Sequence, residues 1–514
     1  MVAVSASCLW LIHPFNISTT LYIIQRSTQL STLFLLLAML VYLHGRRRLL
    51  EGQGNLFRGY LRMSGSVVLG GILATYSKEN GALLPLFILV MEGTLLQRTA
   101  RPTGWRIWRA LFLLTPLLLL CLLIGSEYNL HIVTPANEYN YNLREHILTD
   151  FVVLADYLRQ IALPSMARMG LTHDDYPVSH GLLDPVHTLP AMLLILAMLG
   201  SALLWRKSRP TWAFGVLWFF AGHTLESTIL PLHLYFEHRN YLPAMGIWYA
   251  VASGFFRFLA KQEIARLRPF LTICGLLYCL LLGSMTRSES TLWGNAPLLA
   301  FAWSQQHPTS HWAQGQLATI LIMQNQPFAV LEIYKKLLKT NPGNKVIYID
   351  WMRLACHFQE IPAPDLHEVR KTYHSTNMHL PALDLLIDNW LNGTCKNLKK
   401  DFILEILAIR PTDAAWIPAQ YFAALEYFTA LVHHKDNNPE LALTHIDAAM
   451  RLHPMSLMVF KKMEWLIGME RHAEALRTLE TDYSGIRSSP LIRQYELERI
   501  ENMKKKIKSI LDKK

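Results

Sequence analysis

Between Glu226 and Gly246 the chain reads Glu-Ser-Thr-Ile-Leu-Pro-Leu-His-Leu-Tyr-Phe-Glu-His-Arg-Asn-Tyr-Leu-Pro-Ala-Met-Gly and lies between two long apolar runs. Glu226, His233, Glu237, His238, Arg239 and Tyr241 crowd into it, although such groups are costly near lipid unless they face protein or water. Joining two helices takes only a few polar or turn-forming residues. The chemistry open to this set is acid–base and anion chemistry. A carboxylate can take a proton from a hydroxyl, and cations with hydrogen-bond donors can hold a negatively charged leaving group. A smaller set, Ser77-Lys78-Glu79-Asn80-Gly81, also stands between apolar runs. Plainer readings exist for both: a paired turn reaching water at 78–79, and an interfacial aromatic anchor of Tyr235 and Tyr241 around 237–239.

The elements that must position these residues divide the chain in two. Hydrophobic spans fill 1–285, whereas 286–514 alternates apolar and charged residues, which predicts an all-α polytopic membrane domain followed by a helical soluble domain. Eight segments, near 28–44, 62–77, 81–97, 107–125, 188–205, 211–230, 241–258 and 267–285, are expected to span. Met1–His13 is apolar, has no positive leader and is too short to cross alone, so it reads as the last part of a further span.

Sixteen basic residues fall in the loops 46–62, 98–109, 206–209 and 257–268, against six (Arg26, Lys78, Arg144, Arg159, Arg168, Arg239) in the opposite loops. This bias puts the first group in the cytoplasm, and the polar loops and the C-terminal half outside. The net charge of +11 is then a topology signal and not a nucleic-acid surface.

The long external loop 126–187 carries Tyr139, Tyr141, Arg144 and Glu145. An amphipathic helix is expected over about 143–163, stopped before Pro164 and bearing Asp150 and Asp156, on the membrane surface or capping the bundle. In the irregular return, His173-Asp174-Asp175 invites a divalent cation, because paired carboxylates suit hard ions; a solvated loop is the plainer reading. Cys356 and Cys395 can pair if the C-terminal half lies outside. His13 before Pro14 suits either a helix cap or a site role.

Beyond Arg287 the pattern is of helix pairs. Pro308 and Pro342 stand 34 residues apart after His307 and Asn341, the tetratricopeptide period. Leu317, Ala318 and Leu321 fit a first helix, Tyr334 and Leu337 a second. Ala442, Ile446 and Ala449 precede His453-Pro454, with Ala473, Ala475 and Leu476 beyond. Unrelated helical hairpins are the alternative.

In the order of its motifs the chain resembles the membrane glycosyltransferases that carry tetratricopeptide repeats, the transmembrane O-mannosyltransferases and their bacterial relatives. The matching residues are Leu-Ile-His-Pro (11–14) with Tyr22, Gln25 and Arg26, then Ser77 to Gly81, Arg144-Glu145 with Leu148-Thr149, and Glu237 to Pro243. The resemblance implies transfer of a sugar from a polyprenyl-phosphate donor to a protein or glycan hydroxyl on the extracytoplasmic face of a bacterial inner membrane, with the repeats in the periplasm. It places Arg26, Lys78, Arg144, His238, Arg239 and Tyr241 toward the donor, and Glu79, Glu226 and Glu237 toward the sugar or acceptor. Members of that family begin with two more spans and an acidic external loop that supplies the base. Nothing before Leu11 matches that loop, so the chain reads either as starting late or as a relative without transferase activity. Two other functions fit the sequence: a membrane-anchored repeat scaffold for envelope proteins, and an envelope polysaccharide ligase or polymerase.

Overall fold

The computed structural model describes residues 1–51, 56–133, 141–227, 230, 232–340, 345–373, 379–410, 417–481, 500–505 and 507. Those residues are helical with connecting loops and contain no β-strand. The chain forms two compact units that divide between Leu317 and Ala318. That point lies later than residue 285, inside the helix His311–Met323.

The first unit contains α1 (Val2–Leu11), α2 (Ile17–Leu21), α3 (Arg26–Leu50), α4 (Leu56–Ser77), α5 (Leu84–Gly93), α6 (Trp105–Arg109), α7 (Thr115–Val133), α8 (Leu143–Ala162), α9 (Thr188–Leu204), α10 (Pro210–His223), α11 (Pro243–Leu259), α12 (Arg268–Trp293) and α13 (Ala296–Gln306). Each of the eight expected spans contains an α-helix, but among the described residues only Ile23–Leu50, Trp105–Ser126 and Gln262–Trp293 are both long and apolar enough to cross a membrane. A fourth candidate is α1 with Pro14–Leu21, bent by 59°. For α5 and α10 the shortfall is one of length, with 10 and 14 residues, about 15 and 21 Å at 1.5 Å per residue against a hydrocarbon core of about 30 Å; α4, with 22 residues, is long enough but not apolar enough. The turn that carries Lys78 continues as a 3₁₀ helix over Glu79–Leu83, which takes up the first residues of the expected span 81–97.

The long helices turn apolar side chains outward, and their buried faces mix polar and apolar residues, with Leu35, Ala38 and Met39 buried in α3 and Leu282 in α12. α3 buries Thr28, Ser31, Thr32, Tyr42 and Arg46 and exposes Leu30, Leu33, Leu37, Leu40 and Val41. α12 exposes Phe270, Ile273, Leu276, Leu277, Leu280 and Leu281. Contiguous apolar surface of this kind is what a helix offers to lipid or to a partner. Arg46, assigned by sequence to a cytoplasmic loop, instead lies in α3. It is paired with Glu92 of α5 at 2.5 Å, with both side chains 4 % exposed, and Tyr42 donates to the same carboxylate at 2.8 Å.

α10 and α11 approach closely because Gly215, Gly222 and Gly246 leave room. A Cβ on Gly246 would stand 2.5 Å from the Trp218 ring. α8 begins with a capping box between Asn142 and Glu145 and ends at Ala162, two residues before Pro164, as its pattern predicts. Its buried face, with Val153, Leu154, Tyr157 and Ile161, joins Phe15, Phe219, Tyr235 and Trp248 in one core, so it caps the bundle. His13 is a cap: its Nδ1 accepts from Phe15 N at 3.2 Å and its Nε2 meets Ile161 O at 3.0 Å.

α14 (His311–Met323) is followed in the second unit by α15 (Pro327–Thr340), α16 (Lys345–His357), α17 (Leu366–Tyr373), α18 (Leu380–Leu391), α19 (Lys400–Leu407), α20 (Ala419–Lys435), α21 (Pro439–Leu452), α22 (Ser456–Gly468) and α23 (His472–Thr481). Four turns share one geometry. Asn325, Gly393, Asn437 and Glu470 have φ of 57°, 77°, 56° and 58°, and the next residue donates to the carbonyl five positions back: Gln326 to Leu321, Thr394 to Asn389, Asn438 to His433, Arg471 to Leu466. This is the Schellman closure of a helix. The expected helix-facing residues are buried at Ala318, Tyr334, Leu337, Ala442, Ile446, Ala449 and Ala475, whereas Ala473 is exposed. Asn341 and Pro342, one end of the 34-residue spacing, lie outside the described residues, as does Tyr139. The core runs serially through three clusters along the chain, and Cys356 is bonded to Cys395 across the middle one.

Candidate functional site

Three separated stretches of the first unit bring their polar side chains to one cleft. It is lined by Thr28, Ser31 and Thr32 of α3, by Lys78 and Asn80 of the 77–81 turn, and by His238 and Arg239 of the turn before α11 with Pro243 at that helix's start, with about 370 Å³ of empty space, part of it open to solvent. Each contribution has a local cause. Lys78 and Asn80 are held because Gly81 sits against α4, where a Cβ would stand 2.1 Å from the Ala74 carbonyl carbon. Glu237–Asn240 forms a 3₁₀ turn before Pro243. Tyr157 of α8 fixes that turn, its hydroxyl donating to Phe236 O at 3.0 Å and accepting from Phe236 N at 2.8 Å.

The two ends of the 226–246 stretch close on each other. Arg239 Nε lies 3.0 Å from Glu226 Oε2, with side-chain exposures of 4 % and 5 %. Asn80 Nδ2 donates to Glu226 Oε1 at 2.9 Å, which ties the smaller polar set to the larger. Arg239 also donates to Leu234 O at 3.2 Å and lies over the Phe236 ring. Lys78 Nζ donates to Thr28 Oγ1 at 2.9 Å and Gln25 Oε1 at 3.4 Å. Burial lowers its pKa, and the Glu226 charge opposes that shift. Burial, and then the Lys78 and Arg239 cations, push His238 well below the usual imidazole range, so at neutral pH it is an uncharged hydrogen-bonding group.

The structure therefore brings together Lys78, Glu226, His238 and Arg239 from the expected set. The others lie elsewhere. Arg26, Glu79 and Arg144 are exposed. Glu237 is buried but turns away from the cleft to accept from Gly170 N at 2.7 Å, and burial raises its pKa. Tyr241 packs on Trp10, ring centroids 4.8 Å apart. Asp174 and Asp175 lie in a turn, the first exposed and the second half-buried, and both carboxylates hold the 307–311 segment. Asp174 accepts from His311 N at 2.8 Å and from Ser310 Oγ, and Asp175 meets His307 Nδ1 at 3.0 Å; no metal-holding cluster occurs among the described residues.

The sequence reading named Gln25 within a motif but gave it no site role, and it missed the Thr28, Ser31 and Thr32 hydroxyls, although their helical spacing inside an apolar span was a usable signal. It also passed over the position of Asp150, which falls on the same stripe of α8 as Val153, Leu154 and Tyr157 and is 4 % exposed.

No family model, curated protein or solved structure matches the chain.

Proposed function

We propose that the protein is a membrane glycosyltransferase of the repeat-bearing kind it resembles, with the 78/238/239 cleft holding the phosphate of a polyprenyl-phosphate sugar. One observation carries this reading: two cations, a neutral imidazole and three hydroxyls converge from separate stretches on one cleft, beside helices apolar enough to cross a membrane. Cations and oriented donors stabilise a phosphate oxygen as the bond to the sugar breaks. In the reaction an acceptor hydroxyl oxygen bonds to the anomeric carbon, the bond from that carbon to the phosphate oxygen breaks, and the polyprenyl phosphate leaves as its anion. The hydroxyl proton goes to a carboxylate. Glu226, held by two residues of the cleft wall, is the carboxylate assigned to that role; Lys78 and Arg239 are assigned to the leaving phosphate, and His238 to hydrogen bonding.

In the same reading the first unit is the membrane domain of an inner-membrane protein, and the stacked helix pairs are a periplasmic tetratricopeptide solenoid that presents the acceptor. The 356–395 disulfide suits an oxidising compartment. The scaffold alternative requires no cleft chemistry. The test is transfer of a radiolabelled sugar from a polyprenyl-phosphate donor by the full chain in lipid nanodiscs. Arg239→Ala should lower turnover more than tenfold with the protein still in the membrane, and unchanged turnover would remove Arg239 from the reaction.

A further inference from the structure

Lys78 and Arg239 meet a phosphate as donors only, but the cleft wall also holds an acceptor that a phosphate cannot satisfy. It belongs to Asn80, a half-buried lining residue. Asn80 Nδ2 donates to Glu226 Oε1 at 2.9 Å, whereas Asn80 Oδ1 is buried and has no hydrogen-bond partner among the described residues. Turning the amide over gives no relief, because it would set Oδ1 against the carboxylate that Arg239 also holds, at 3.0 Å. The backbone is equally fixed. Gly81 N donates to Lys78 O at 2.9 Å, and a Cβ on Gly81 would stand 2.1 Å from the Ala74 carbonyl carbon. A buried acceptor left unmatched costs free energy, and this one belongs to a residue that lines empty space. The missing donor therefore arrives with the ligand.

We propose that Asn80 is a specificity-determining residue for the sugar: its Oδ1 accepts a hydrogen bond from the hydroxyl on the carbon next to the anomeric carbon of a polyprenyl-phosphate sugar. The phosphodiester of such a lipid is a singly charged anion without an O–H, so the phosphate itself cannot supply the donor. The position follows from Glu226, whose two oxygens hold Asn80 and Arg239 side by side. An acceptor beside the guanidinium assigned to the phosphate reaches the part of the sugar next to that phosphate. Of the two ring atoms bonded to the anomeric carbon, the ring oxygen has no proton, and the carbon carries the hydroxyl. The inference rests on the phosphate reading of the cleft and adds to it a preference for the loaded lipid over the spent carrier, which lacks this hydroxyl. A site that hydrogen-bonds a substrate hydroxyl rejects the analogue without it, because its own polar group is then left unpaired.

The test is the affinity of three lipids for the full chain in nanodiscs: polyprenyl-phosphoryl mannose, the same lipid with fluorine in place of the hydroxyl next to the anomeric carbon, and polyprenyl methyl phosphate. All three are diesters with one negative charge, and fluorine fills the place of the hydroxyl without its proton. Wild type should bind the mannosyl lipid about tenfold more tightly than either of the others, each of which leaves the buried acceptor unpaired. Asn80→Ala should bind the mannosyl and fluoro lipids alike. Equal binding of those two by wild type, or a preference that survives in Asn80→Ala however far the overall affinity falls, overturns the inference and leaves the phosphate reading standing. Absence of wild-type binding to all three lipids overturns both. Should Asn80→Ala fail to fold, Asn80→Ser, whose shorter side chain withdraws the acceptor, is the second variant, and the wild-type comparison alone still decides.

Discussion

Breaking the Glu226–Arg239 pair from one side should cost more than removing it altogether. Both side chains are almost fully buried, at 5 % and 4 % exposed, and face each other at 3.0 Å. Taking away one partner strands a buried charge, at a cost of about 3–5 kcal/mol, whereas replacing both by neutral groups of similar volume is often close to neutral. Each single change also leaves particular groups behind. Glu226→Gln keeps an acceptor for Asn80 Nδ2 but points an amide toward the guanidinium. Arg239→Met removes the bond to Leu234 O and leaves the carboxylate with Asn80 alone. Each single variant should therefore lose about 3 kcal/mol or more. With roughly 2–4 °C of melting temperature per kcal/mol for units of this size, the single variants should melt about 6–12 °C or more below wild type. The double variant should lie well above the sum of the two. The assay is thermal unfolding of the four proteins in one nanodisc preparation, read as a double-mutant cycle. Single variants within about 1 kcal/mol of wild type, or an additive double variant, would refute the view that these groups form one buried unit.

Three further outcomes are expected. Serine at Cys356 and Cys395 frees a loop of 39 residues, which should destabilise the second unit by about 4 kcal/mol on the chain-entropy account; unfolding with and without reductant checks this. Gly81→Val drives a side chain into the α4 backbone, so the turn must move and the Asn80–Glu226 contact should be lost; cysteine accessibility at position 80 in the variant and its parent should differ. Burial raises the Glu237 pKa, so this group's contribution to stability is full below its unfolded pKa and lost as pH rises through the folded one. Glu237→Gln should therefore flatten the fall in stability between pH 4.5 and about 8, and an unchanged profile there would contradict the assignment.

What could be read in the sequence, and what could not, follows the range of the interactions. α8 was predicted almost to the residue because its limits are local: the Asn142–Glu145 cap and Pro164. The 226–246 stretch declared itself by charge in an apolar setting. Its partners did not, because Asn80 lies 146 positions from Glu226 and Gln25 lies 53 from Lys78. Hydropathy marked eight runs but could not show that the chain stays in a 3₁₀ turn through Leu83 or that α10 stops at His223. Arg26 and Glu79 were chosen by type, yet the chain leaves both in the open and buries Gln25 and half-buries Asn80. Asp174 and Asp175 looked like a cation site because sequence shows a donor's type but not its partner, here the 307–311 segment.

The most direct test of the account is equilibrium binding of a polyprenyl phosphate to the full chain in nanodiscs, by native mass spectrometry, for wild type and Lys78→Gln. Lys78 donates only to the neutral Gln25 and Thr28 side chains in the bonds described above, so its replacement leaves the Arg239–Glu226 pair in place. Saturable wild-type binding that weakens at least tenfold in the variant is the predicted result. Equal binding by the two proteins, or none by either, would contradict the assignment of this cleft to a lipid phosphate.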